Sequence, residues 1–409
     1  MSATFFGYFL DWAGLLLRWS HLVVGIAWIG SSFYFVWLDN HLRPPREPAL
    51  AQKGVAGELW AVHGGGFYNP QKYLVAPASL PAELHWFKWE AYSTWLTGMF
   101  LLVTVYYLQA STWMLDPAAI SAGSSTASSA LPALSPGVSI IVGLASLALG
   151  WFFYNWLCAV FEQRSQIAFG ACYFAFVVAM TWLLTHLLSG RAAFVHVGAM
   201  IGTTMVANVF FRIIPGQKIM VAQMQRGEAP DPIHGIRGKQ RSVHNNYLTL
   251  PVLFCMISNH YAFLYGHAYS WAGLSLILLA ACLIRHFFNQ RHWGRAQWRY
   301  PLAGAALLLA VAFWFAPSSA LFAGSEDVPF ARVEQVVDAR CVPCHAEHPK
   351  LLPAAPLGVM LDTPERVHAL RQRIWQQAVQ ARTMPLGNAT NITEEERALL
   401  DRWGRASGE

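Results

Sequence analysis

Charge is what this sequence most lacks. Only 12% of its 409 residues are Asp, Glu, Lys or Arg, while 55% are hydrophobic, with 18 Trp and 25 Phe. A soluble domain carries about twice that share of charge, so the composition excludes one and implies a polytopic membrane protein. Cysteine is nearly as sparse. Four of the six, Cys158, Cys172, Cys255 and Cys282, lie singly in apolar runs, where a buried, inert thiol is expected and no disulfide framework is implied. Despite a net charge of +6, no basic and aromatic surface is interleaved, which excludes a nucleic-acid binder. No Lys or Arg precedes the first apolar run, and that run is too long for the core of a cleavable signal peptide, so none is expected.

What is present is apolar length. Eight stretches can cross a hydrocarbon core about 30 Å thick at about 1.5 Å per residue. They are residues 13–38, 89–108, 137–161, 167–188, 193–213, 247–265, 270–288 and 300–316. A Ser/Ala/Pro-rich connector, 121–136, separates the second from the third, and a linker at 317–327 marks a boundary. The expected fold is therefore all-α, with a membrane domain of about eight spans over 1–320 and a second domain over 321–409. Basic residues fall in alternate loops: Arg43, Arg46, Lys53 and Lys72; Arg164; Arg212 to Arg241; Arg285 to Arg299. The intervening loops hold almost nothing basic except Arg191. By the positive-inside rule both termini lie on the outer side, the periplasm of a bacterial inner membrane.

Two cysteines stand apart. Cys341-Val342-Pro343-Cys344-His345 sets two thiols three positions apart with an imidazole directly after them. Both thiols can form thioethers to one macrocycle while the histidine ligates its iron, which is the attachment signature of a covalent haem c. A zinc site would need another Cys or His pair, and only His348 and His368 follow, at unsuitable spacing. About forty residues on, Met384 in Thr383-Met384-Pro385 supplies the sixth ligand of a His/Met cytochrome. Helices are expected over 330–339 and 364–382, and Thr393-Glu394-Glu395-Glu396 reads as a capping box opening a last helix through Trp403. The segment resembles a class I cytochrome c domain. Its placement in the periplasm agrees, because thioether attachment of haem takes place there.

Ionisable side chains inside spans are costly and functional by default. Arg18, His21, Lys88, Glu90, Glu162, His186, His196 and His260 are of this kind, although Arg18, Lys88 and Glu90 also suit plain snorkelling from span ends. His21, His186, His196 and His260 fall in the outer halves of their helices under this topology. A second group, His63, His85, Lys88, Glu90 and His244, lies toward the cytoplasm. Gly25 with Gly30, and Gly198 with Gly202, have the spacing that lets helices approach closely.

Several of these residues sit in longer motifs. They are Arg18-Trp19-Ser20-His21-Leu22 running into Trp28-Ile29-Gly30-Ser31-Ser32-Phe33-Tyr34; His63-Gly64-Gly65-Gly66-Phe67-Tyr68; His85-Trp86-Phe87-Lys88-Trp89-Glu90; and Val243-His244-Asn245-Asn246-Tyr247 through Ser258-Asn259-His260-Tyr261. Together they resemble the bacterial membrane-bound urate oxidase (urate hydroxylase) family, in which eight spans are fused to a C-terminal cytochrome c. That resemblance implies oxidation and hydration of urate to 5-hydroxyisourate, a step of purine degradation. It also implies that electrons leave through the haem to a soluble periplasmic cytochrome c and a terminal oxidase. The first span is similar, more weakly, to membrane protoporphyrinogen oxidases and copper-resistance membrane proteins, the first of which bind haem there.

By position and chemistry, His85, His244 and Glu90 suit the proton steps, Lys88 or Arg18 the anion's charge, and Asn245 with Asn246 its planar edge. Gly64 to Gly66 would let backbone approach a flat ligand, and they equally describe an ordinary turn. With urate at this cytoplasmic group, electrons must cross about 30 Å of hydrocarbon. A second, non-covalent haem b is then expected, with His21, His196 and His260 as candidate iron ligands. The alternative puts urate in the outer half, beside the cytochrome, with those histidines as proton acceptors. Two further classes stay open: a membrane electron-transfer protein whose spans wire the cytochrome domain, and a haem- or porphyrin-handling oxidoreductase.

Overall fold

The computed structural model describes residues 3–115, 134–161, 164–316, 328–352 and 354–405. Most of the connector 121–136, the whole linker 317–327 and Glu162 lie outside the described residues. The chain is mostly helical. Long helices are α1 (Ala3–His41), α2 (Trp89–Leu101), α3 (Pro136–Val160), α4 (Gln166–Leu187), α5 (Gly190–Asn208), α6 (Pro232–Ile257), α7 (Ser270–His292) and α8 (Arg299–Trp314). All lie near the expected stretches except α6, which begins well before the expected 247–265 and ends inside it, the rest of that stretch being a 3₁₀ turn, Ser258–His260, and a short helix, Ala262–Tyr265. Helix α2 continues into a π turn, Leu102–Tyr107, and α5 runs through another, Val209–Ile213, into Ile214–Gln225. Among the described residues, five helical stretches are long and apolar enough to cross a membrane, and α8 is a shorter apolar helix. Helix α6 falls short because Arg237, Lys239 and Arg241 occupy its early turns and His244, Asn245 and Asn246 its middle.

Helix α5 is the axis of the bundle. Its Ala192, Ala193, Phe194, Val197, Met200 and Ile201 are almost wholly buried, with α2, α3, α4 and α6 against it. Glycine makes the close approach possible: a Cβ on Gly150 of α3 would fall 2.4 Å from Met200, and one on Gly198 would fall 2.5 Å from the Cβ of Cys255 in α6. Gly25, Gly30 and Gly202 meet nothing comparable. Helix α1 exposes Tyr8, Leu15, Trp19, Leu22 and Ile26, an apolar face suited to lipid. Of the single cysteines, Cys172 departs from expectation and is exposed on α4. That helix is apolar all round, so the sequence carries no sign of which face turns inward.

The all-α expectation needs one correction. Between α1 and α2, β1 (Val55–Glu58) pairs with β4 (Gln71–Tyr73) and β2 (Ala61–His63) with β3 (Gly66–Tyr68), both antiparallel. Gly64 and Gly65 form the β2–β3 turn with φ of +57° and +81°, the left-handed pair a two-residue hairpin requires. Strands of three or four residues are too short to show a period in the sequence.

Residues 328–405 build a separate core. Helices α9 (Phe330–Arg340) and α10 (Glu394–Arg405) pack together, burying Val333, Val337, Leu361, Ile374, Leu400 and Trp403. The capping box forms as expected: the Glu396 N–H donates to Thr393 Oγ1 at 3.2 Å and the Thr393 N–H donates to Glu396 Oε2 at 2.8 Å. The expected 364–382 helix is broken into Pro364–Ala369, Arg371–Ile374 and a π turn, Trp375–Gln380. This body docks on one end of the bundle, where Ala262–Tyr265 meets the π turn and Ala110–Trp113 meets Leu386–Asn388. A Cβ on Gly266 would fall 2.6 Å from the Ala381 Cα. The opposite, far end carries β1–β4.

Candidate functional site

Cys341 ends α9, and the turn after it is closed by the Cys344 and His345 N–H groups, which donate to the Cys341 carbonyl at 3.1 and 2.9 Å. Burial pushes the Cys341 thiol up to about 12. His345 Nδ1 lies 3.0 Å from the Val359 carbonyl. A carbonyl only accepts, so Nδ1 carries the proton and Nε2 keeps its lone pair for a metal. Met384 is held through its backbone: its N–H donates to the Gln377 carbonyl at 3.0 Å and its carbonyl accepts from Arg397 Nη1 at 3.1 Å. Two thiols, an imidazole with a free Nε2 and a thioether are donors of the types a covalently held haem c takes, and Cys341, Val342 and Val359 pack against the apolar core of this body.

At the docked end, the π turn of α2 brings two successive tyrosines onto one histidine. Tyr107 Oη lies 3.2 Å from His196 Nε2, and the Tyr106 ring stands edge-on to the same imidazole at 6.2 Å. His196 is fully buried and its Nδ1 lies 2.8 Å from the Ala192 carbonyl, which only accepts, so Nδ1 carries a proton. Beside it stand Tyr106 Oη, Arg191 Nε and Asn259 Oδ1, all buried and all without a hydrogen-bond partner.

At the far end, Asn246 is fully buried. Its Oδ1 accepts from Arg285 Nε at 2.8 Å and Asn289 Nδ2 at 3.0 Å, and its Nδ2 faces the Ser32 carbonyl and hydroxyl oxygens at 3.4 Å. The Arg285 guanidinium lies 3.9 Å over the Phe33 ring. The contacts tie α1, α6 and α7 together.

The other residues expected at a cytoplasmic substrate site do not join this group. Asn245 Oδ1 accepts from Asn208 Nδ2 at 2.9 Å, and Arg241 Nη1 donates to Asn208 Oδ1 at 3.0 Å. His244 is held between the Tyr154 hydroxyl at 2.8 Å and Gln166 Oε1 at 3.1 Å, stacked on Phe169. His85 is exposed against Phe87. Lys88 caps α2 with its ammonium 5.8 Å from the Trp89 ring, and Glu90 follows in the first turn. His244, Asn245 and Asn246 enter separate environments because neighbours on a helix point about 100° apart.

The candidate ligands of a second haem do not fit one either. His21 Nδ1 lies 2.9 Å from Thr97 Oγ1, whereas His196 contacts Tyr107, a displacement along α2 of roughly 14 Å. Two imidazoles facing one iron must stand at the same level. Gly143 is packed so tightly on His196 Nε2 that a Cβ there would fall 2.6 Å away, and His260 is exposed on a 3₁₀ turn after α6. Among the described residues, no group of three or more His, Cys, Asp or Glu could hold a metal ion.

Sequence reasoning gave no role to Tyr106, Asn259 and Asn289, counted Arg285 only as a loop charge, and noted Arg191 only as an exception. Arg191 carried the one usable signal, a single cation among loops otherwise without one. A family described as urate oxidase N-terminal matches residues 7–316. No curated protein and no solved structure matches the chain.

Proposed function

The chain belongs to the urate oxidase N-terminal family, and from that premise we propose that it is a membrane-bound urate oxidoreductase forming 5-hydroxyisourate. The observation that carries this reading is the presence, in the chain that matches the family, of a C-terminal donor set of Cys341, Cys344, His345 and Met384, with His345 Nε2 free for iron. From the urate monoanion and one water, the products are 5-hydroxyisourate, one proton and two electrons, with a C–O bond formed at C5. The chemistry haem c supplies there is one-electron acceptance, so the electrons leave singly toward a soluble periplasmic cytochrome c and a terminal oxidase. No peroxide need form.

In this reading residues 1–320 are the membrane domain, 321–409 are the cytochrome c domain, and both termini face the periplasm of a bacterial inner membrane. The charge distribution supports that orientation. Arg43, Arg212, Lys218, Arg226, Arg291 and Arg295 all belong to loops or helix ends away from the docked segment, as the positive-inside rule requires of a cytoplasmic face. The test is urate added anaerobically to isolated membranes. Reduction of the haem band by urate is the expected result; a haem reducible by dithionite but not by urate refutes the reading.

A further inference from the structure

Tyr106 is 4% exposed, and the Arg191 and Asn259 side chains lie against its hydroxyl. Although they stand within reach of one another, Tyr106 Oη, Arg191 Nε and Asn259 Oδ1 complete no hydrogen bond of good geometry. Buried polar atoms are rarely left this way, and three in one place call for a polar partner from outside the chain; Arg285 Nη2, Asn289 Oδ1 and His292 Nδ1 are left likewise at the far end, so position has to choose between the two groups. We propose that this cluster, under the docked C-terminal helices, binds the urate anion and is where it is oxidised. The inference rests on the function proposed above and places its site at the docked end instead of the far end.

The chemistry matches on three counts. Urate is a flat anion whose edge alternates carbonyl acceptors with N–H donors. Arg191 and Tyr106 can donate to the first and Asn259 Oδ1 can accept from the second. The charges acting on Tyr106 come from Arg191 and Arg18, so the field is positive where an anion has to sit. The Arg191 guanidinium is braced 4.2 Å over the Trp113 ring, which fixes the donor before the ligand arrives.

Position separates this cluster from the far-end group. Asn259 is followed by the short helix Ala262–Tyr265, which touches the π turn 375–380, and from there the chain runs through Ala381 to Met384. The Arg285 group lies about 22 Å along α7 from its first residue, Ser270, at the docked end. Electron transfer weakens steeply with distance, so a substrate oxidised through the Met384-bearing segment belongs beside that segment.

Equilibrium dialysis of labelled urate against the full-length protein in detergent reads binding without turnover. Arg191→Gln, which removes a charge-assisted donor, is expected to weaken binding at least about tenfold. Asn259→Asp, which turns a carboxylate toward an anion at a less buried position, is expected to do the same. Arg191→Lys recovers part of the loss. Haem content and the dithionite-reduced spectrum report that each variant has folded. Wild-type affinity in both Arg191→Gln and Asn259→Asp overturns the site, as does a loss confined to Arg285→Gln, which moves urate to the far end. An unsubstituted protein that binds no urate refutes the function itself, a separate result.

Discussion

On the proposed function Cys341, Cys344 and Met384 would hold one group by different bonds, and substitution separates them. Replacing both cysteines with alanine is expected to abolish covalent haem, read as loss of haem staining on a denaturing gel. Met384→Leu is expected to leave the haem attached and lower its midpoint potential in a redox titration, because a thioether axial ligand raises it. Unchanged potential in Met384→Leu would mean that another residue is the sixth ligand. The Cys341 to His345 motif stood out in the sequence because two thiols and an imidazole within five positions are a local pattern. His196 was legible only as a residue type. The Ala192 carbonyl and Tyr107 hydroxyl occupy both its nitrogens, and neither contact leaves a trace in the sequence.

The helices follow from apolar length, and their ends follow from caps. Ser135, Ser165 and Ser189 each accept a backbone N–H at the start of α3, α4 and α5. At the start of α10 the capping box is reciprocal, so Thr393→Ala is expected to cost about 1 kcal/mol. That loss is measured as a fall in the denaturation midpoint of the C-terminal body, followed by Trp403 fluorescence; an unchanged midpoint would show that the cap is dispensable. The π turn at 102–107 was not legible. Its sequence, Leu-Val-Thr-Val-Tyr-Tyr, is compatible with an ordinary α-helix, and only the packing of Tyr106 and Tyr107 on His196 shows where the register shifts. Such turns concentrate at functional sites, and this one supplies two side chains to the cluster beside Arg191.

At the scale of the whole molecule, the two bodies are coupled through small contacts at Gly266–Ala381 and at Ala110–Trp113 with Leu386–Asn388. On the proposed function, a substrate oxidised beneath that junction would pass electrons to a cytochrome and take its new oxygen from water. Turnover with an artificial oxidant is therefore expected to continue without air, to incorporate label from H₂¹⁸O, and to release no stoichiometric peroxide. Label arriving from molecular oxygen would contradict the scheme and indicate direct oxidase chemistry.

The sequence alone determined the mostly helical fold, the positions of most long helices, the Cys341-to-His345 motif and the family. Each depends on composition, on apolar length, or on spacing within a few residues, and these survive without coordinates. The tertiary structure decided the rest. Tyr106, Arg191 and Asn259 lie on three different helical segments far apart in the chain, so only the packing of α2, α5 and the end of α6 brings them together. Docking of 328–405 on that end then distinguishes them from the equally polar group around Arg285. Within helices that are apolar on every side, periodicity cannot tell an inward face from a lipid-facing one. That is why Cys172 was misplaced, and why histidines expected to share one iron stand at different levels of the bundle.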